Sequence, residues 1–339
     1  MPTTVKPRTT LDETDDQGNL QRTAAAFDRL IEVGGRFAPE ANRYHLYVAL
    51  GCPWANGTLA CLFMKGLEHV ISYSIVHPTW ARTKPNDPED EHCGWHFRKP
   101  GDPPVPNPLG YGANVCDDAL IPDTVNRCAT LRGVYEKADD QSGKYSTPVL
   151  WDKKHGTIVC NESKTILRIL NSAFGGLAKH PHLNFFPEDK AAEMQELDDF
   201  IYPTINNGVY RCGFAKSQQA YETAFDELFA SLDRVENILS SKRYLTGDKP
   251  TAMDLRLFMT LIRFDAVYFV YFKTNKKKIR EYPNLFEYCK DMYQLPEMAR
   301  AINMDHIKMH YFTSHPSLNM YGIIPKGPDV DYLQPHNRA

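Results

Sequence analysis

The chain has no apolar run approaching the ~18 residues of a membrane-crossing helix. It has no basic excess either: 39 lysines and arginines stand against 42 aspartates and glutamates, a net charge of -3. Such a balance offers no purchase to nucleic acid or to an acidic membrane surface. The one dense basic patch, Lys276, Lys277, Lys278 and Arg280, reads as a solvated face. The eight cysteines (52, 61, 93, 116, 128, 160, 212 and 289) contain no C-x-x-C pair and no cysteine–histidine spacing of a zinc site. No metal is therefore expected, and the thiols read as reduced, in an intracellular, cytoplasmic protein. Lys6 and Arg8 are followed by Asp12, Glu13, Asp15 and Asp16 with no apolar segment, which argues against a secretory signal. A P-loop, a nucleotide fingerprint, a serine-hydrolase elbow and internal repeats are all missing.

What is present suits a soluble globular protein of 339 residues, 42% hydrophobic and 24% charged, long enough for two domains. Aromatic residues make up 12%, 18 of them tyrosine, which suggests an aromatic-lined pocket as well as a core. Residues 1–40 are polar and poorly periodic and read as an extension. "YHLYVAL" (44–50) predicts a strand, followed by a helix with Cys52 at its N-cap, Pro53 in its first turn and Gly66 just past its end. "VISYSIV" (70–76) is a second strand. From 77 to about 145 runs a segment holding nine of the 24 prolines, in which residues 124–138 suggest a helix. "STPVLWD" and "GTIVC" then read as a strand pair, and "NESKTILRILNSAF" as a helix with Ser163 as N-cap. This order predicts an α/β, thioredoxin-like domain over 41–180 that carries the 77–145 insertion. Beyond it the period turns helical: the stripe Tyr221, Phe225, Leu228, Phe229, Leu232, Val235, Leu239, and a capping-box pair Thr251 and Asp254. An all-α domain is expected over 188–315, with a wrapping tail at 316–339.

Three features carry chemistry. A thiol at a helix N-terminus meets the positive end of the macrodipole and unpaired N–H groups, both of which favour thiolate. One turn after Cys52 stands Ala55 and not a resolving cysteine, so a small external thiol would have to close the cycle. An X-Pro bond such as Thr147–Pro148 adopts the cis form cheaply and would leave the Val149 backbone open to a peptide-like ligand. Glu162 and Ser163 precede a helix, where amides suit a carboxylate and Glu162 suits an ammonium. Glutathione carries both charges on its γ-glutamyl end.

"RYHLYVALGCPWA", "GLEHVISYSIVHP", "TPVLWDKKHGTIVCNES", "NNGVYRCGFAKSQQAYE", "RYLTGDKPTAMDLRLFMTLIRFDAVY" and "DHIKMHYFTSH" resemble the glutathionyl-hydroquinone reductases, the Xi class of glutathione transferases. The likeness runs from about Arg43 to His315. It implies a homodimer with the glutathione transferase architecture, glutathione as co-substrate, and conversion of glutathionyl-hydroquinone plus glutathione to hydroquinone plus glutathione disulfide. It implies Cys52 as nucleophile and Trp95 as the tryptophan packed on glutathione. Val149 after Pro148 becomes the backbone contact, and Glu162 with Ser163 the γ-glutamyl site. Tyr210 and Tyr311 face the hydroquinone, with Tyr268 as a third candidate beside nearby Tyr271. One departure stands out: the family commonly continues with His-Arg after "CPWA", whereas Asn56 and Gly57 follow here, and Gly57 costs the helix ~1 kcal/mol relative to alanine. The nearest alternative is an omega-like thioltransferase or dehydroascorbate reductase. It would share Cys52 but not need the tyrosines. A non-catalytic ligand-binding or protein-interaction module would not need the thiol.

Overall fold

The computed structural model describes residues 6–338. Two compact units emerge: residues 23–181 and 302–325 with the described residues up to 12, and residues 13–22, 182–301 and 326 onward.

The first unit is built on a four-stranded mixed sheet. Strand β1 (Tyr44–Val48) is central, helix α1 (Pro53–Met64) crosses over, and β2 (Ser72–Ile75) returns parallel to β1. After the insertion come helix α2 (Leu131–Lys137), then β3 (Val149–Asp152), β4 (Thr157–Cys160) and helix α3 (Ser163–Ser172). The order across the sheet is β2-β1-β3-β4, with β3 antiparallel to both neighbours and Tyr47 opposite Val149. Every residue of β1 is buried, as expected for a strand covered on both faces. Helix α1 is buried on nearly all sides, with only Trp54 partly exposed. Its end is a Schellman turn: Gly66, at φ +63°, donates to Phe63 O at 2.8 Å and Leu67 donates to Leu62 O at 3.0 Å. A buried fork from Arg43 Nε and Nη2 to both oxygens of Asp152, at 2.9 and 2.7 Å, ties the start of β1 to the end of β3.

The helix of the insertion is shorter than the 124–138 expected. Asp123 is the reason. Its carboxylate accepts from the amides of Val125, Asn126 and Cys128 and from the Tyr47 hydroxyl, which holds the chain in a turn until Thr130 caps α2. The N-terminal extension lies against the exposed edge of β4: Arg29 N donates to Val159 O, and Phe27 exchanges bonds with Asn161. An unpaired strand edge is thereby covered.

The second unit is helical: α4 (Ala191–Ile201), α5 (Gly208–Gly213), α6 (Gln218–Leu239), α7 (Ala252–Arg263) and α8 (Pro283–Gln294). Asp254 closes the expected capping box. It accepts from Thr251 N and Oγ1 at 2.7 and 2.9 Å, and α7 is buried throughout. The last helix, α9 (Met304–Ser314), was expected to belong with this helical half but groups with the sheet. Its polar side chains account for this: Ser314 Oγ donates to Pro78 O, Thr313 Oγ1 bonds Thr79 Oγ1, and His306 bonds Asp117. All three partners lie in the insertion. The tail likewise divides, with Met320 O accepting from Asn107 in the first unit and Pro335 O from Lys290 in the second.

Candidate active site

Cys52 sits at the N-cap of α1 with an extended backbone, φ -85° and ψ 120°. Its carbonyl accepts the first helical bond, from Asn56 N at 3.0 Å, and Pro53 follows where its missing N–H costs nothing. The Cys52 thiol donates to Thr147 O at 3.5 Å. That carbonyl belongs to the Thr147–Pro148 peptide, which is cis, and β3 begins directly after it at Val149. The nucleophile candidate and the cis-proline turn therefore meet. Seven further thiols are present. Burial pushes them up, Cys61 and Cys212 to about 12 and Cys128 to about 11, with Cys93, Cys116, Cys160 and Cys289 also raised. They stay protonated near neutrality and are poor nucleophiles.

The third feature departs from expectation in one respect. The N-cap of α3 is Glu162, not Ser163: Glu162 is extended at φ -93° and its Oε1 accepts from Lys164 N at 3.1 Å. Ser163 is the first helical residue, and its hydroxyl donates to the same Oε1 at 3.4 Å. A longer carboxylate can reach back to the second helical amide, which places an anion and a hydroxyl together at the helix start.

Helix α9 brings further groups to Cys52 that sequence reasoning left without a role. The His310 ring lies against Gly51, where a Cβ would stand 2.5 Å from His310 Cβ. His310 Nδ1 is 3.0 Å from Pro78 O, and its ring centroid is 4.4 Å from that of Trp95. Trp95 is itself buried, edge-on to Trp80 at 5.6 Å, and Trp80 meets His315 at 5.0 Å. Burial lowers His315 to about 4, so its ring is neutral near pH 7. Tyr311, next along α9, is buried with its ring 5.1 Å from that of His310. The first unit thus contains Cys52, Trp95, Pro148, Val149, Glu162, Ser163 and Tyr311. "MHYFTSH" held His310 and His315 in plain view, but no local rule signals their partners more than 200 residues away.

Tyr210 and Tyr268 belong to the second unit. Their rings are 5.9 Å apart, within a cluster that includes Phe214 and Phe272, the last stacked on Tyr268 at 5.3 Å. The guanidinium of Arg22, from the extension, stands 4.8 Å from the Tyr210 ring centroid. Two π-helical turns, Tyr202–Asn206 and Phe264–Tyr268, precede or contain these tyrosines, a distortion frequent at functional sites. Among the described residues no group of three or more His, Cys, Asp or Glu could hold a metal ion.

A model of the glutathione S-transferase N-terminal domain matches residues 51–173, and one of the C-terminal domain matches residues 218–291. The glutathionyl-hydroquinone reductase YqjG of Escherichia coli is 42% identical over 330 residues, covering 95% of this chain and 92% of that protein. The chain belongs to the Xi-class glutathione transferases. Its fold is the thioredoxin-like domain plus helical domain of that superfamily. The glutathione-bound structure of YqjG superposes with a TM-score of 0.79 at 40% identity, covering 98% of this chain and 96% of that one. The Xi transferase of Phanerochaete chrysosporium gives 0.83 at 40% identity, covering 96% and 97%. Within this Xi-class chain, Asn56 and Gly57 lie inside the buried face of α1.

Proposed function

We propose that this chain reductively removes glutathione from glutathionyl-hydroquinones, using glutathione as co-substrate. The observation that carries the reading is the junction of Cys52, at a helix N-cap, with the cis Thr147–Pro148 turn and no second cysteine at Ala55. Cys52 thiolate attacks the glutathionyl sulfur. A sulfur–sulfur bond forms as the sulfur–carbon bond to the ring breaks. An aryl carbanion leaves poorly, so the ring reacts as its keto tautomer, and the electron pair of the broken bond moves to the carbonyl oxygen. A second glutathione thiolate attacks the Cys52–glutathione disulfide, releasing glutathione disulfide and regenerating the thiolate, a ping-pong scheme.

The Glu162 carboxylate and Ser163 hydroxyl take the ammonium and carboxylate of the γ-glutamyl end, the Val149 backbone after Pro148 takes the peptide portion, and Trp95 packs on the tripeptide. The family resemblance assigns Tyr210, Tyr311 and Tyr268 to hydrogen bonds with the hydroquinone oxygens as charge develops there. The domain roles follow: glutathione over 41–180 and hydroquinone over the helical half. The working form is a cytoplasmic homodimer, and among the described residues no helix is long and apolar enough to cross a membrane.

The test compares hydroquinone release with turnover of a small glutathione mixed disulfide in Tyr210→Phe/Tyr311→Phe. Loss of the first activity with the second retained supports the reading. Equal retention of both would assign the tyrosines to packing and the chain to an omega-like thioltransferase.

A further inference from the structure

Tyr135 and Asn161 carry no role above, yet they form a buried polar chain between the two loops assigned to glutathione. The Tyr135 hydroxyl donates to Ser146 O at 2.8 Å and accepts from Asn161 Nδ2 at 2.9 Å. Asn161 Oδ1 accepts from Phe27 N at 3.0 Å, and Asn161 N donates to Phe27 O at 2.8 Å. The two ends of this chain are informative. Ser146 adjoins Thr147, whose carbonyl receives the Cys52 thiol, and the cis bond to Pro148 follows. Asn161 adjoins Glu162. Phe27 comes from the N-terminal extension, and its ring meets that of Tyr135 edge-on at 6.2 Å.

Tyr135 is fully buried, and burial drives its hydroxyl well above the usual tyrosine range. It is therefore a neutral phenol at working pH, able to donate and accept at once. Along the chain the cis-proline turn and the start of α3 are connected by the β3–β4 hairpin, whose register shifts between Leu150 and Trp151, near the end that faces the turn.

We propose that Tyr135 and Asn161, closed by the main chain of Phe27, are positioning residues for glutathione: they fix the spacing between the cis-Pro148 turn and the Glu162–Ser163 helix start. The extension is thus part of the binding site's support. This rests on the assignment of those two loops to glutathione, and the test separates the two claims.

Glutathione affinity is measured by calorimetry on full-length wild type, Tyr135→Phe, Asn161→Ala, Tyr44→Phe and Glu162→Gln, with thermal unfolding of each. Tyr44 is the matched control: it is equally buried, and its hydroxyl donates to Ala38 O at 2.7 Å, from the opposite end of β1. Tyr135→Phe and Asn161→Ala leave buried polar groups unpaired beside the site, so each should weaken glutathione about tenfold. In steady state, KM for glutathione should rise more than kcat falls. Tyr44→Phe should lose stability comparably and keep its affinity within about twofold. Unchanged affinity in both site variants, or an equal loss in Tyr44→Phe, overturns the proposal. If Glu162→Gln weakens binding and the site variants do not, the clamp alone is wrong. If Glu162→Gln binds like wild type, the loop assignment fails and the clamp falls with it.

Discussion

Gly51→Ala is the sharpest perturbation of the catalytic corner. The added Cβ would stand 2.5 Å from His310 Cβ, 2.8 Å from Cγ and 3.1 Å from Cδ2. Ordinary contact begins at 3.4 Å, so the closest pair must part by about 0.9 Å. His310 cannot yield cheaply: its Nδ1 is bonded to Pro78 O and Ser314 Oγ, and its ring lies 4.4 Å from Trp95. The backbone carrying Cys52 is left to move. Overpacking of this kind costs about 1–3 kcal/mol. A nucleophile displaced by about 1 Å loses on the order of 100-fold in rate. Hydroquinone release, the alkylation rate of Cys52 and the unfolding midpoint should all fall in Gly51→Ala. Adding His310→Gly should restore part of the stability, with a coupling of about 1–2 kcal/mol. A Gly51→Ala enzyme within twofold of wild type, with an unchanged midpoint, would refute the argument.

In the second unit, a Cβ at Gly213 would lie 2.0 Å from Phe272 Cδ1, so Gly213→Ala must swing the ring that stacks on Tyr268. Unfolding in urea should show a loss of about 1–3 kcal/mol, and hydroquinone release should drop more than turnover of a small mixed disulfide. Arg43→Met strands the buried Asp152 carboxylate and should cost about 3–5 kcal/mol, read from the same urea curves. Burial lowers His45, His92 and His315 from 6.5 to about 4. The folded state then binds fewer protons than the unfolded state between about pH 6.5 and 4. Stability should fall with pH through that window, by up to about 3 kcal/mol per imidazole, which urea unfolding at pH 7 and pH 4.5 would detect.

What could be read in advance follows from the range of the forces involved. Cys52, Pro53 and Gly66 mark both ends of α1 because capping is decided within a few residues, and Thr251 with Asp254 marks the start of α7. Local rules faltered where two caps competed. Serine is an ordinary N-cap, yet the preceding Glu162 reaches the second amide and takes the position. They faltered again where Asp123 gathers three amides and the Tyr47 hydroxyl and delays α2. The setting of α9 left no trace in its period, since its bonds to Pro78, Thr79 and Asp117 span some two hundred residues. His310 and Trp80 went without a role for the same reason: their neighbours are set by tertiary packing. The Tyr135–Asn161–Phe27 chain is likewise legible only in three dimensions.

The most direct test of the mechanism is a single turnover without free glutathione, followed by intact and peptide mass spectrometry. Equimolar enzyme and glutathionyl-hydroquinone should release one equivalent of hydroquinone and leave one glutathionyl group on Cys52, discharged on addition of glutathione. Hydroquinone release with no adduct on Cys52, or release that persists in Cys52→Ala, would contradict the mixed-disulfide account.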